Sequence, residues 1–346
     1  MATIPSTDKI LVSGATGSLG REIIRCLAAE GLTPVALVRP ESDTGELEYL
    51  GIERRVADLR NQQALQAAFQ GITLGIHAAA WISFRQDRMT QFTGINTFGA
   101  IDFYKAARAA GARRVVTIST VAAIGASRRK PGGNHFPQAI TEDHEFNLGH
   151  LHIPYILSKR AAEHELLALA ADGAPELILL NPVPILTDHP PGGLKGRIDK
   201  QLRRMVLPRF DNLLSLVDVR DCAPAVVAAL SQGEAGRRYI LAGETIPFSE
   251  LLRQMGKLLG RDPWQVRLPL GLLLLIARLA AGWARLRGAS EIAFYPDLVR
   301  LTEYDWGYSA DRAKAELGFA PRPLAETLAD LLGDGFGTVT RDRKGN

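Results

Sequence analysis

Apolar residues fall into two rhythms along the chain. Short unbroken runs read as strands buried on both faces, and longer stretches with apolar positions three and four apart read as amphipathic helices. Ile10-Leu11-Val12 is the first run. It leads into Gly14-Ala15-Thr16-Gly17-Ser18-Leu19-Gly20, after which Ile23, Ile24 and Leu27 recur at helical spacing up to Gly31. Further strands are predicted at Pro34 to Val38, Arg55 to Ala57, Leu74 to His77, Val115 to Ile118 and Leu177 to Leu180. Helices are predicted between them at Asn61 to Phe69, Gln91 to Ala110 and Tyr155 to Ala171, the first two ending at Gly71 and Gly111. This alternation predicts an α/β fold, a doubly wound parallel sheet of Rossmann type with helices on both faces.

The regular alternation stops after Asn181-Pro182. Pro184, Pro190, Pro191, Gly192, Gly193 and Gly196 crowd one stretch that can continue neither a helix nor a central strand. A second, smaller, mostly helical domain is predicted over 182–212 and 243–336, with helices at Ser249 to Leu259, Leu270 to Leu286, Ala310 to Leu317 and Leu324 to Leu332. The first domain takes 1–181. It regains 213–242, where Leu216 to Val219 and Tyr239 to Leu241 read as strands around a helix from Asp221 to Leu230. A polar tail occupies 337–346.

Leu270 to Leu286 is the most apolar helix. Arg278 and Arg285 interrupt it, and it falls short of the roughly 20 apolar residues a transmembrane span needs. Its spacing groups Leu272, Leu275, Ile276, Leu279, Trp283 and Leu286 on one side, with the two arginines on the other. That side is expected to pack inside the second domain or to close over an apolar substrate, with peripheral membrane contact as the alternative.

Composition narrows the function. With 346 residues and a net charge of +4, the chain carries a mild basic excess that suits a phosphate-bearing ligand and is too dispersed for nucleic acid. The tight basic run, Arg128-Arg129-Lys130, is expected to be a solvated loop. Two cysteines, Cys26 and Cys222, make neither a disulfide framework nor a zinc site, and Met1 to Asp8 has no secretory pattern, so a cytoplasmic protein is expected. His150-x-His152 is the one close histidine pair and no metal site is predicted; a Gly-x-Ser-x-Gly elbow is also missing.

Gly14-x-x-Gly17-x-x-Gly20 lies where a strand turns into a helix, so backbone N–H groups and the positive helix end can face a pyrophosphate. The end of the second strand selects the nucleotide. A carboxylate there would bind the 2′-hydroxyl of NAD, and an arginine accommodates the 2′-phosphate of NADP. The sequence has Val38-Arg39-Pro40, which favours NADP and leaves NAD possible. Asp58, before Leu59, is placed to accept from the adenine amino group, with a cap on the next helix as the equal reading of Asp58 or Asn61.

Tyr155-Ile156-Leu157-Ser158-Lys159 sets a phenol and an ammonium four residues apart on one helix face. A neighbouring ammonium stabilises a phenolate, which makes tyrosine a usable acid and base. Ser119-Thr120 follows the fifth strand at the same sheet edge as the glycine turn, where ligands of such sheets bind.

These motifs, with His77-Ala78-Ala79-Ala80, Asn96, Asn181-Pro182, Leu216-Val217-Asp218-Val219-Arg220-Asp221 and Ala313-Lys314-Ala315-Glu316-Leu317-Gly318-Phe319-x-Pro321, stand in the order seen in one family. From about Lys9 to Leu332 the chain resembles the extended short-chain dehydrogenase/reductases. It is most similar to the dihydroflavonol reductase and 3β-hydroxysteroid dehydrogenase branch, with its bacterial hopanoid-associated relatives. The resemblance implies Tyr155 as acid/base, Lys159 on the nicotinamide ribose, and Thr120 on the substrate oxygen with Ser119 in reserve. It implies that Gly14, Thr16, Gly17, Ser18, Leu19, Gly20, Arg39, Asp58, Leu59, Ala78, Ala79, Asn96, Pro182 and Val183 line the cofactor, Asn96 alternatively bracing the backbone around Ile118. Hydride would pass between C4 of the nicotinamide and a substrate carbon.

Trp81, Phe84, Phe146 and Leu151 offer apolar surface for substrate, and Lys195, Arg197, Arg203 and Arg204 offer charge for a nucleotide-sugar pyrophosphate. The expected function is an NADP(H)-dependent oxidoreductase acting on a ketone or secondary alcohol of a fairly apolar small molecule. Two alternatives stay open: a nucleotide-sugar epimerase or dehydratase holding NAD tightly, and a non-catalytic NADP sensor. The resemblance also implies a homodimer through the helices near Gln91 to Ala110 and from Tyr155.

Overall fold

A computed structural model describes residues 4–82, 89–129, 138–189, 193–203, 206–287 and 295–333. Its first structural unit is a sheet of seven parallel strands: β1 (Lys9–Ser13), β2 (Thr33–Val38), β3 (Glu53–Val56), β4 (Leu74–His77), β5 (Arg114–Ile118), β6 (Glu176–Pro182) and β7 (Arg238–Leu241). In space they run β7-β6-β5-β4-β1-β2-β3. The order reverses at β1, and β1 and β4 are hydrogen-bonded neighbours there. Such a reversal opens a crevice beyond the carboxyl ends of the strands, where open α/β sheets bind ligands.

Each central strand feeds two cores. Ile10 and Val12 face one layer and Leu11 the other; Val116 and Ile118 are opposed by Val115, and Ile178 and Leu180 by Leu177 and Leu179. Burial on both faces is why these strands read as unbroken apolar runs. Helices α1 (Ser18–Ala29) and α5 (Val219–Gln232) cover the first layer. Helices α2 (Gln62–Ala68), α3 (Gly99–Ala109) and α4 (Pro154–Leu169) cover the second.

The predicted helix over Gln91 to Ala110 is in fact three segments: a short helix, Met89–Phe92, a π-helical stretch, Thr93–Phe98, and then α3. π-Helical insertions often occur at functional sites, and this one contains Asn96.

Of the residues 213–242 expected to rejoin the sheet, Arg238–Leu241 does so as its edge strand β7. Leu213–Ser215 and Val217–Asp218 pair instead with Thr245–Pro247 and Ile185–Leu186. Asp218 explains the early exit. It caps α5 by accepting from the Arg220 N–H at 2.8 Å, and the Arg220 guanidinium grips both its oxygens at 2.9 and 2.6 Å. Arg322 binds Asp221 in turn, so the Leu216-to-Asp221 motif ties the C-terminal segment to the sheet domain. Glu316 does the same at β7, accepting from the Tyr239 hydroxyl at 2.6 Å and from Arg237 at 2.8 Å.

A separate apolar cluster joins Leu186, Leu202, Leu207, Leu216 and Ile246 with Leu251 of α6 (Phe248–Leu258); α7 (Leu270–Leu286) packs elsewhere, and α8 (Leu324–Leu332) adds Leu324, Leu328, Leu331 and Leu332 to the cluster. The basic run is solvent-facing as expected, with Arg128 and Arg129 exposed, but it is not wholly loop. Ser127–Arg128 pairs with Tyr304–Asp305, Arg128 faces Glu303 at 3.7 Å and Arg129 faces Asp305 at 3.7 Å, while Lys130 lies outside the described residues.

Helix α7 reverses the expected packing. Leu273, Ala277 and Ala281 are its buried residues, and Leu272, Leu275, Ile276, Leu279, Trp283 and Leu286 are exposed. The periodicity identified a face but not its direction, because two small alanines sit where the helix meets the protein.

Candidate active site

The glycine turn is shaped first by the protein itself. Gly14 has φ +70°, and a Cβ there would lie 2.7 Å from the Ala79 nitrogen; a Cβ on Gly20 would lie 2.0 Å from the Gly14 carbonyl oxygen. Two of the three glycines are therefore demanded by the close packing of turn, helix and the segment after β4, rather than by a ligand's approach. The turn still presents an open helix end. Gly17 caps α1 without a side-chain hydrogen bond, and the first turn holds no acidic residue. The N–H groups of Ser18, Leu19 and Gly20 have no partner within the helix and point with its positive end toward the crevice. Arg21 holds the turn by donating to the Thr16 carbonyl at 2.9 Å, and Ser18 Oγ donates to the His189 carbonyl at 3.3 Å.

At the ends of β2 and β3 there is a cluster of charge. Arg39 is exposed and meets Glu41 at 3.3 Å. Asp58 is gripped by Arg60 through Nε at 2.9 Å, Nη2 at 2.6 Å and the backbone N–H at 2.9 Å, and Asn61, not Asp58, caps α2. Arg60, with a smaller contribution from Arg39, holds the Asp58 carboxyl down at about 2. Leu59 packs its side chain against Gly99 at the start of α3.

Beyond β4, Ala78 and Ala79 are half-buried and lie against the turn, the Ala78 N–H donating to the Ser13 carbonyl at 3.2 Å. His77 is fully buried. Its Nδ1 pairs with Ser13 Oγ at 2.9 Å, and burial, aided by the nearby Lys159 charge, pushes it down to about 3, so the ring is neutral. Asn96 accepts from the Trp81 N–H at 2.7 Å and donates to the Trp81 carbonyl at 3.0 Å and to Ser158 Oγ at 3.1 Å. It thus braces the backbone at Trp81, not at Ile118, and ties that strand extension to the helix carrying Tyr155. Thr97 adds a bond to the Ser158 carbonyl at 2.9 Å.

Pro154 opens α4 at a position where a missing N–H costs nothing. Tyr155 and Lys159 follow one turn apart. The Tyr155 phenol lies beside the Thr120 side chain, whose Oγ1 accepts from the Ala122 N–H at 3.3 Å. Burial pushes the phenol above its usual value, and Thr120 opposes that shift. Lys159 is 2% exposed and donates to the Ile118 carbonyl at 2.7 Å. The expectation that Lys159 lowers the Tyr155 pKa is not met in this arrangement: its ammonium is turned to the end of β5, and desolvation dominates at the phenol. Lys159 itself is pushed down to about 8 by burial, against the pull of Glu163.

Glu163 is the residue the sequence reading missed. It lies one turn beyond Lys159 and is 1% exposed. Its carboxylate accepts from Asn181 Nδ2 at 2.6 Å and from Arg238 Nε at 2.7 Å. Asn181 Nδ2 also donates to the Thr120 carbonyl at 3.0 Å. One hydrogen-bonded chain thus runs from the edge strand through Glu163 and Asn181 to the backbone of Thr120. The available signal was the continuation of the Tyr155–Lys159 spacing by four more residues.

Other expected residues fall away from this centre or only back it. Leu151 is 1% exposed and belongs to a core with Ile153, Ile156 and Tyr295, so it supports the Tyr155 helix instead of offering surface. Phe146 is half-buried under the Arg160 guanidinium at 5.1 Å. Trp81 is half-buried, with a buried indole nitrogen lacking a partner. Pro182 and Val183 are buried at the end of β6. Phe84 lies outside the described residues, as do the side chains of Lys195, Arg197 and Arg204; Arg203 is exposed and bound to Asp199 at 2.7 Å. His150 is exposed and reaches the Tyr304 hydroxyl at 3.2 Å.

A dinucleotide fits the crevice on the protein's own terms. The uncapped α1 terminus suits a pyrophosphate, and three buried polar atoms without partners lie at the carboxyl ends of β4 and β5: His77 Nε2, Trp81 Nε1 and Ser119 Oγ. The family described as NAD dependent epimerase/dehydratase matches residues 10–242. The chain belongs to that family. It is 28% identical over 337 residues to the sterol demethylase protein B of Methylococcus capsulatus, covering 93% of this chain and 96% of that one. It is 30% identical over 342 residues to a Synechocystis protein provisionally named dihydroflavonol 4-reductase, covering 95% of each. The crystal structure of gox2253 superposes with a TM-score of 0.79 at 29% identity, covering 94% of this chain and 97% of that one. The chain is accordingly an NAD(P)-dependent reductase or epimerase of the extended short-chain dehydrogenase/reductase family.

Proposed function

We propose that the protein is an NADP(H)-dependent oxidoreductase that interconverts a ketone and a secondary alcohol on a fairly apolar small molecule. The observation that carries this reading is the placement of Tyr155 on α4, with Thr120 beside its phenol at the carboxyl end of β5 and buried Lys159 one turn further along the helix. When bound, the nicotinamide supplies or accepts the hydride. Tyr155 gives its phenolic proton to the carbonyl oxygen in reduction and recovers it in oxidation, and a phenol raised by burial is protonated at neutral pH, as an acid must be. Thr120 holds the same oxygen, and its backbone is fixed by Asn181. Lys159, already cationic below about 8, would supply positive charge at the nicotinamide ribose. Ser18, Leu19 and Gly20 would hold the pyrophosphate, and Asp58 the adenine.

NADP is favoured over NAD because β2 ends in Val38-Arg39-Pro40 with no carboxylate facing the ribose, and because Arg39 and Arg60 lie together at that edge. Glu41 answers Arg39 through an exposed pair worth little in water, leaving the guanidinium available to a phosphate. Arg39→Ala is expected to raise KM for NADPH about ten- to a hundredfold and to leave KM for NADH nearly unchanged, the loss expected for one charge-assisted contact. Equal losses for both nucleotides would remove Arg39 from selection.

The apolar substrate class draws support from half-buried Trp81 just beyond β4 and from the name of the Methylococcus relative, which refers to a sterol. The reaction is tested by incubating the dialysed protein with NADPH and a panel of apolar cyclic and aryl ketones. The expected result is stoichiometric NADPH oxidation with a secondary alcohol as product. Interconversion of UDP-sugar epimers on retained NAD, with no net cofactor consumption, would overturn the proposal.

A further inference from the structure

The outer face of α7 is a continuous apolar stripe. Leu275 is 51% exposed, Leu279 65% and Trp283 58%, at helical spacing, flanked by exposed Leu272, Ile276 and Leu286. A contiguous apolar face of this kind marks a surface built to be covered. Its charge says by what. From Leu270 to Arg287 the chain carries Arg278, Arg285 and Arg287 and no lysine, aspartate or glutamate, while Arg267, before the helix, is held by Asp211 at 2.8 Å. Arg278 is exposed, and the Arg287 guanidinium lies 3.8 Å above the Trp283 ring.

A second copy fits this face poorly, because a two-fold contact would bring arginine-bearing helices together with no acidic residue on either to answer them. An anionic lipid surface answers both features. Leucines and an interfacial tryptophan enter the boundary of the acyl chains, and arginines extend to the headgroup phosphates. Among the described residues no helix is long and apolar enough to cross a membrane, so the helix would lie in the plane of the surface.

We propose that α7 docks the protein on an anionic phospholipid bilayer. The docked helix is tied to the catalytic end of the molecule. Its inner face, Leu273 and Ala277, packs on Val299 of the short helix Pro296–Arg300, whose cap Tyr295 shares one core with Leu151, Ile153, Ile156 and Tyr155. The docking itself does not rest on the proposed reaction, since it is read without turnover.

The full chain is to be sedimented with vesicles of phosphatidylglycerol and phosphatidylcholine in equal parts, and with vesicles of phosphatidylcholine alone. The wild type is expected to partition at least about tenfold more strongly onto the anionic vesicles. The double variant Leu275→Asp, Leu279→Asp is expected to lose that binding while keeping wild-type NADPH affinity, which shows that it folds. Arg278→Gln is expected to lower the preference for anionic vesicles and keep NADPH binding. Wild-type protein remaining in the supernatant with anionic vesicles overturns the proposal. So does a double variant that sediments like the wild type, or a wild-type dimer that the double variant dissociates with no vesicle binding by either.

Discussion

Tyr155→Phe is expected to lower kcat for ketone reduction about 10²- to 10⁴-fold and to leave the Kd for NADPH within about twofold, the range spanned by removing a positioned general acid. The phenol is the proton-donating group beside Thr120, and removing its oxygen leaves the ring packing around Ile153 and Ile156 in place. Rapid-reaction kinetics with saturating NADPH, paired with a fluorescence titration of the nucleotide, separates the two quantities. A variant retaining most of its turnover would remove Tyr155 from the chemistry.

The second large effect is expected at Glu163. Its carboxylate is 1% exposed and holds Arg238 and Asn181. Glu163→Ala strands both partners, and breaking such a pair costs about 3 kcal/mol of folding stability, taken at the low end because Arg238 keeps some contact with water. Urea unfolding measures that loss. Glu163→Gln keeps the shape and isolates the electrostatic part. Lys159 must be protonated to carry charge, so its contribution falls as pH rises past about 8, and the alkaline limb of kcat/KM is expected there, since that ratio reports the free enzyme. Glu163 favours the ammonium. Its neutralisation therefore moves the limb to lower pH, an effect that a purely structural role would not produce; a limb that stays in place would confine Glu163 to packing.

Much of the sheet domain was legible because its strands are buried on both faces. Ile10-Leu11-Val12 and Val115 to Ile118 can be read as strands without knowing what covers them. Tyr155 and Lys159 were legible as a pair because four residues bring two side chains to one helix face. Where the Lys159 ammonium points was not, since its partner is the Ile118 carbonyl 41 positions earlier in sequence. The Glu163–Asn181–Arg238 chain was hidden for the same reason: α4, β6 and β7 meet only in the folded molecule. Asn96 is read from the sequence as a cofactor contact or a brace around Ile118, and the backbone it braces belongs to Trp81. Helix α7 shows the limit of periodicity. Its bounds were readable to the residue, but with apolar side chains on nearly every side, the inward face was decided by Ala277 and Ala281, whose small size lets the helix approach Val299.

The central claim is a dissociable NADP(H) that carries hydride to or from a separate substrate, and native mass spectrometry of the full chain after exhaustive dialysis tests it most directly, followed by parallel titration with NADPH and NADH. The protein is expected to carry no nucleotide after dialysis and to bind NADPH about tenfold or more tightly than NADH. NAD retained through dialysis, or NADH bound the more tightly, would contradict that claim.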